Sequence, residues 1–571
     1  MAQPQQNISI QAPSFQGINS EDSPLVQDAT FSARANNAVI DEFGRIGARK
    51  GFNDWVVSYN GSLVSEPNHS RREVTIGSMH HSSGLNPICV CNVKYFYSVG
   101  EAETQVGEEY FIASLIMQDN TLMFLAHSAQ ARLNIGASTM RADIATFGDY
   151  YYVAAAGFSL LEIDPFAGTV AVLEEKFGYL PPQTDGGFLT GPGNNGALQC
   201  DIVTSAYGRL WITGVDGDYQ KIYYSDLQDA RVWYDGKAEP TDPLNTAGAI
   251  EVSEYWPSGR DRIVNIMAHN NMLVIFGRNN ILMYGNAQGD PAAVGGIFLA
   301  DTVEGMGLVS RDCLVQTGSD LLFVDDTGVR SLGRSVQEQS VPIGDLTANV
   351  RSDISYFILQ TDNLDDISLS YWPQESIVVC NFKQNRKAFV LDMRRPSASG
   401  GSRITTWTEH VWDRAIHVED GVNDRVLLGS TNGTGVKEYR GYIDNDTDTY
   451  RFSYQSNPLT FGDSVRQKFP KRMDLTIVTR DAPITAYARW GTGTTLEYIK
   501  SLDVDSQVPA LFGIAQFGNS VFGQSADTIK RYRVNTKGSG AFITLGVDAD
   551  INGGVFSLQE INIQTLLGRI Y

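Results

Sequence analysis

A chain of 571 residues is too long for one ordinary hydrophobic core, and at roughly 150 residues per domain it asks for three or four domains or for a repeat. The net charge of −21, with no Lys/Arg run longer than a pair, excludes a nucleic-acid reader, whose footprint is a basic patch. Gly at 55 residues, aromatics at 10%, and Val, Ile and Thr spread without heptads or long apolar runs exclude a coiled coil and a helical membrane span, and favour β structure throughout.

The opening "MAQPQQNISIQAPSFQGINSEDSP" has neither the basic nor the apolar region of a signal peptide, so synthesis and folding in a cytoplasm are expected. Residues 1–55 read as a separate segment: a polar extended start, a short helix or arm around Ala29, Ala33 and Ala38, then a strand punctuated by Gly44, Gly47 and Gly51. Such a segment cannot hold a core alone, and the expectation is an N-terminal arm lying against another subunit or partner. Arg45 and Arg49 stand four residues apart among acids. They are read as candidates for ion pairs across an interface, with a solvated turn as the plain alternative.

Between residues 56 and 455 one pattern recurs, a strand, a Gly/Asn/Asp turn and a second strand, at intervals of about 40 to 60 residues, the blade scale of a β-propeller. The hairpins are "EEYFIASLIMQDNTLMFLAH", "GDYYYVAAAGFSLLEID", "GRLWITGVDGDYQKIYYS", "NNMLVIFGRNNILMYG", "SDLLFVDDTGVRSLG", "ESIVVCNFKQNRKAFVLDM" and "DRVLLGSTNGTGVKEYRG". Each implies an apolar strand whose face is covered by the next unit, with Trp211, Tyr224 and Trp233 packed between neighbouring blades. A six- or seven-bladed propeller is the primary reading and a string of separate sandwiches the competing one. The turn acids Asp216 and Asp218 in "VDGDYQ", and Asp325 and Asp326 in "VDDTG", are candidates for an acidic channel wall.

From 456 to 571 the hairpin pattern gives way to longer alternating strands, "RMDLTIVTRDAPITAYARWGTG" and "GAFITLGVDADINGGVFSLQEINIQTLLGRIY", which read as a C-terminal β-sandwich or platform domain. The Gly- and Phe-rich stretch between them reads as a long exposed loop. Phe512, Phe517 and Phe522 there are interface candidates, because exposed large apolar groups imply a covering surface.

The search for chemistry returns no catalytic, cofactor or metal site. The seven His are scattered, and the adjacent His80 and His81 would point apart in extended chain. Asp444, Asp446 and Asp448 mimic the start of a calcium loop, but Thr449 replaces its glycine and Gln455 its bidentate glutamate. "GTGTT" lacks the lysine of a phosphate loop, and "YSDLQDARVW" lacks the glycine and spacing of a sialidase Asp box. The five cysteines form an odd, scattered set, expected to be free and mostly buried.

Three stretches carry a resemblance. They are the opening with Asn36, Asp41, Gly44, Arg49 and Gly51; the hairpin with Arg209, Leu210, Trp211, Tyr224, Ser225 and Trp233; and the final strand with Gly568, Arg569 and Tyr571. In these the chain resembles the nozzle proteins, or tail tubular protein B family, of short-tailed bacteriophages. The resemblance implies an all-β, non-enzymatic virion protein, a propeller held on a platform β-domain, with six copies in a ring around the DNA exit channel. It also implies attachment to a tail adaptor ring, tail fibres or spikes as neighbours, phage DNA passing without sequence-specific binding, and the host envelope met at ejection. Arg569 joins the interface candidates on the same ground. A tail hub or portal-plugging DNA stabilisation protein is the alternative within viruses; a carbohydrate-binding or hydrolysing propeller is the alternative from another class.

Overall fold

The computed structural model describes residues 5–54, the backbone of the strands between 69 and 142, then 143–173, 200–233, 246–286, 296–333, 345–505 and 527–568, without 149, 156–159, 165–168, 216, 258, 319, 410–411, 420–423 and 431–435. The described chain is nearly all strand, and Arg351–Gln360 is the one α-helix described over its whole length.

The hairpins foreseen from alternation and turn residues all form, each in a different place. In chain order, the first sheet has five strands between His69 and Asn134, the second four between Ala142 and Val172, and the third four between Ile202 and Glu251. The fourth has four between Ile263 and Glu304, and the fifth three between Leu314 and Ser331. A sixth unit, the four antiparallel strands between Ile367 and Thr408, forms one end of a ten-stranded sheet. In the seventh, Trp412–Glu419, Asp424–Ser430 and Val436–Arg440 are joined by Gly51–Asp54 from the other end of the chain. Every unit is antiparallel; in the first six the strands follow one another in chain order, and only the seventh takes its last strand from elsewhere in the chain.

The first strands lie side by side. His69–Ser78 packs beside Ala142–Phe147, that strand beside Ile202–Ala206, and that beside Ile263–His269. Leu314–Gln316 packs beside Ile367–Trp372, that strand beside Trp412–Glu419, and Trp412–Glu419 beside His69–Ser78 again. The fourth and fifth sheets meet through the Phe276 and Phe323 rings, 5.5 Å apart. The succession of units therefore returns to its start.

Large side chains fill the seams. Trp211 and Tyr224 are register partners on one face of the third sheet, rings 5.0 Å apart, and pack into Ile266, Leu273, Ile275 and Tyr284 of the fourth. Trp233 goes the other way, into a cluster with Tyr152 and Ala154 of the second sheet. Between the sixth and seventh units, Trp372, Trp407, Trp412 and Tyr439 surround Phe52, whose ring lies 5.0 Å from Trp412 and 5.7 Å from Tyr439. Each fully buried ring of this size contributes about 1.5–3 kcal/mol.

The remaining strands make a two-layer base. Its six-stranded layer contains Gln5–Gln11, Ala38–Ile40, Ile46–Ala48, Lys468–Arg480, Thr528–Asn535 and Val555–Leu567. The other layer is the continuation of the ten-stranded sheet, from Gly17–Ile18 and Phe31–Asn36 through Tyr450–Ser456, Thr544–Ile551 and Ile484–Gly491 to Tyr498–Val504. Both chain ends thus build the base, which differs from the sequence expectation of a separate arm in front and a self-contained sandwich behind. Gln5–Gln11 pairs along its whole length with Val555–Leu567, and Phe31–Asn36 with Tyr450–Ser456. The reason is elementary: a short amphipathic strand is stable only where a neighbour supplies both its hydrogen bonds and its apolar cover.

Candidate functional site

The ring of first strands has one polar mouth. An aspartate lies within two residues of the start of six of the seven first strands: Asp143, Asp201, Asp261, Asp312, Asp366 and Asp413. Asp143 Oδ2 accepts from the Val203 amide of the next sheet at 3.2 Å. Asp261 takes the Arg278 and Asn279 amides, both at 2.8 Å, and so ties its strand start to the second-to-third-strand turn of the same sheet. Starts of first strands and these turns therefore share one face.

Two arginines reach across that mouth. Arg311 Nη1, at the entry to the fifth sheet, donates to the Asp201 carbonyl of the third at 2.5 Å, while its own carbonyl accepts from Asn265 Nδ2 of the fourth at 2.9 Å. Arg414 of the seventh unit forms an ion pair with Asp312, whose side chain is fully buried at the entry to the fifth. A side chain that links two units while passing a third must run through the interior of the ring. Ser310 Oγ adds a bond to Asp365 Oδ1 at 2.8 Å. The Tyr219 hydroxyl donates to Asp201, and burial together with that carboxylate pushes the phenol up to about 12. Burial, with Asp201 and Asp143 nearby, also holds the Cys200 thiol far above its usual range, so it is not a nucleophile at neutral pH. Asp312 is held by Arg414, Asp201 by Tyr219, and Asp143 and Asp261 by backbone amides, while Arg311 is held on a backbone carbonyl, which makes the cluster a brace. No sequence motif announced it; the recurring aspartate would have emerged from aligning the residues that precede each hairpin.

The nominated residues meet different fates. Arg49 is not at a surface. Its side chain is 2% exposed, and it makes a two-pronged pair with Asp444, at 2.9 and 2.7 Å. Its Nε reaches Asn37 Oδ1 at 3.2 Å, and the guanidinium lies over the Phe52 and Tyr450 rings at 4.3 and 4.1 Å. The expected intersubunit role is replaced by a weld between the base and the seventh unit. Arg45 is likewise held within the chain, by Asp41 at 2.6 Å and Asp527 at 3.3 Å. Asp444, suspected as a cation ligand, is spent on Arg49 and on the Phe52 amide. Asp446 lies 3.6 Å from Arg440. Among the described residues no group of three or more His, Cys, Asp or Glu could hold a metal ion.

Of the turn acids, Asp218 is exposed and Asp326 is 59% exposed, paired with Arg278 of the neighbouring turn. Asp325 is a correction: its carboxylate is buried, bound to Arg330 and to the Thr327 and Gly328 amides, and cannot face a channel. Asp216, His80, His81, Phe512, Phe517, Phe522 and Arg569 lie outside the described residues. "YSDLQDARVW" is a structural turn in which Ser225 Oγ accepts the Leu210 amide at 3.0 Å and Asp226 accepts the Thr246 amide at 3.0 Å. Cys200, Cys313 and Cys380 are buried and in no disulfide, as expected.

No protein-family profile matches the chain, and no curated protein matches it in sequence. Solved structures similar to it include the β-propeller domain of Myceliophteria thermophila Cps50 (Swd1), at 10% identity and a TM-score of 0.33, covering 64% of this chain and 99% of that one. The computationally designed Ika8 protein is similar at 10% identity and a TM-score of 0.32, covering 65% and 98%. PorZ, a surface component of the type-IX secretion system of Porphyromonas gingivalis, is similar at 10% identity and 0.34, covering 79% and 63%.

Proposed function

We propose that the chain is a structural virion protein: the distal nozzle of a short-tailed phage, a ring of six copies attached to an adaptor and lining the channel through which DNA leaves. In this reading each copy is a seven-bladed propeller whose last blade is closed by Gly51–Asp54, carried on a platform built from both chain ends. The observation that supports it most is that joint construction: Gly51–Asp54 pairs with Val436–Arg440, and Ile46–Ala48 just before it pairs with Val555–Leu567. A propeller and platform that share one strand segment act as a rigid unit, as a conduit under the pressure of leaving DNA requires. The resemblance in the opening, the Trp211 hairpin and the chain end is what directs the reading to the nozzle family.

Because Arg311 and Arg414 cross the interior of each ring of first strands, DNA passes between copies and not through a propeller axis. The charge of −21 per copy keeps such a wall from gaining affinity with each phosphate, and exposed turn acids such as Asp218 and Asp326 are suited to it. Adaptor, fibres or spikes, and the host envelope complete the set of partners.

Electron microscopy of the purified protein tests the reading. Sixfold rings with an open axial channel are expected, and particles of the parent phage should carry the protein at the tail tip. A protein that stays monomeric, or that is missing from tails, overturns it.

A further inference from the structure

Charge is divided unevenly along this chain. The strands of the base lie within residues 1–50 and 450–571, which carry 17 Lys/Arg against 15 Asp/Glu, a net of +2. Residues 51–449, which hold the seven units, carry the other 27 against 50, a net of −23. The units therefore repel a polyanion and the base does not.

The outward face of the six-stranded layer concentrates this difference. Gln5–Gln11, Val555–Leu567, Lys468–Arg480 and Thr528–Asn535 lie side by side there, and their register sets three cross-strand rows of four side chains, all polar. The middle row is Ser9, Asn562, Asp474 and Arg533, and the rows beside it contribute Arg472 and Arg531. All three guanidinium groups converge on the Asp474 carboxylate, at 3.1 Å from Arg472, 3.0 Å from Arg531 and 3.3 Å from Arg533. The carboxylate is 3% exposed, while Arg531 and Arg533 are 54% and 62% exposed. The other acid of the three rows, Glu560, accepts from Ser9 Oγ at 2.8 Å and from Thr476 Oγ1 at 3.3 Å. Three cations against two acids leave the rows positive. Each guanidinium has five N–H donors and a carboxylate only about four acceptor sites, so most of the donors remain for another anion.

Guanidinium, amide and hydroxyl donors are the groups from which phosphate oxygens accept when a protein holds nucleic acid by its backbone. A protein partner would call for an aromatic or aliphatic anchor at the centre of the patch, and the three rows contain none. Ile529, 62% exposed, stands beyond them near the start of its strand. Four strands spaced by about 4.8 Å span roughly 14 Å, wider than a major groove of about 12 Å. The face thus meets phosphates and leaves base edges unread, in keeping with a chain that has no basic run in its sequence.

We propose that the Arg472/Arg531/Arg533 face of the base is the surface by which each copy touches DNA, gripping the phosphate backbone of a duplex without regard to sequence. The acidic units keep the rest of the copy from adhering, so the grip is confined to one level of the conduit. Six copies in a ring present the cluster six times and add their weak contacts. This deepens the function proposed above and rests on it for the choice of DNA as the polyanion.

The experiment is fluorescence anisotropy of a labelled, mixed-sequence DNA duplex with the full chain, from about 20 mM to about 200 mM salt, with sedimentation recording the oligomer. Binding is expected at the low end, and log K should fall against log salt with a slope of about −2 or steeper, as for two phosphates per copy. Arg531→Gln with Arg533→Gln should weaken binding about tenfold or more and flatten the slope by about 2, whereas Arg531→Lys with Arg533→Lys keeps both. Asp474→Asn frees one further positive charge and should tighten binding, a gain that a purely structural cluster would not give. Arg34→Gln, at an exposed arginine of the other layer, changes nothing. Unchanged circular dichroism and melting show that the fold is intact; should the Gln pair unfold the protein, Arg533→Gln alone replaces it. Rings that form but bind no DNA at low salt overturn this contact and leave the oligomer standing. Equal slopes in wild type and the Gln variant overturn its placement on this face. Tighter binding of polygalacturonate, a carboxylate polymer, than of DNA overturns the choice of polyanion. A monomer that binds DNA through these arginines upholds the contact and overturns the oligomer.

Discussion

Two seams of the ring solve the same problem by different means. Where the third and fourth sheets meet, consecutive parts of the chain are already tethered, and side chains alone close the gap: Trp211 and Tyr224 against Ile266, Leu273, Ile275 and Tyr284. In the seventh unit the strand that completes the sheet comes from the far end of the chain. There Gly51–Asp54 supplies backbone hydrogen bonds, Phe52 fills an aromatic pocket, and Arg49 locks the entry with Asp444. A ring made from a linear chain must hold its ends together without covalent help, so polar and backbone bonds concentrate at that one unit. The tethered seam takes no strand from elsewhere, and beside its packing has only side-chain bonds such as that of the Tyr207 hydroxyl to the Met272 carbonyl at 2.8 Å.

The sharpest way to break this contrast is Arg49→Ala, which leaves Asp444 without its partner under the Phe52 and Tyr450 rings. Removing one half of a buried pair costs about 3–5 kcal/mol, read as a lower denaturant midpoint together with proteolysis of the N-terminal segment before the rest. Arg49→Lys should recover only part of the loss, since an ammonium cannot reproduce the two-pronged geometry. If Arg49→Ala unfolds no earlier than wild type, the weld is not what holds the closing strand.

Gly51→Ala comes next. A Cβ at Gly51 would sit 1.7 Å from the Ile443 carbonyl oxygen, so the strand must shift away from its place. A loss of about 1–3 kcal/mol is expected, as for other forced overpacking, confined to exchange protection of Gly51–Asp54 and Val436–Arg440. At the tethered seam, Ile275→Val removes one methylene from a fully buried position and should cost about 0.5–1.5 kcal/mol, without early release of either sheet. Combining it with Arg49→Ala should give a simple sum, because the two sites share no partners. A large coupling between them would mean that the seams are not independent.

The smallest effect is one of pH, at the axial brace. Tyr219 titrates at about 12 in the folded chain against 10.0 ordinarily, because burial and Asp201 oppose the phenolate. Its contribution is present in full below pH 10 and is lost as the pH rises through about 12. Tyr219→Phe should therefore flatten the alkaline fall in stability over that window. Identical alkaline profiles in variant and wild type would remove Tyr219 from the brace.

Local rules made the hairpins readable, because alternation and a Gly/Asn/Asp turn act within about a dozen residues. The seven hairpin stretches fall in seven different units, and Trp211, Tyr224 and Trp233 sit between units as their size demanded. The base was legible as alternating strands, but its membership was not. The partner of Gln5–Gln11 lies some 550 residues away in Val555–Leu567, and nothing in a short polar strand encodes which distant edge will accept it.

The fates of single charges were equally hidden. Asp325 and Asp326 are neighbours in one turn, yet the first is buried on Arg330 and the second is exposed beside Arg278. Arg45 and Arg49 had the same appearance in sequence, and only Arg49 became the buried weld. Composition and period determined that this chain would be a repeat of small β units on a second β layer, since those properties follow from backbone geometry and local burial. Which strand closes the ring, which arginines cross its mouth, and which acid is neutralised were decided by tertiary structure, because desolvation and ion pairing depend on groups brought together only when the chain has folded.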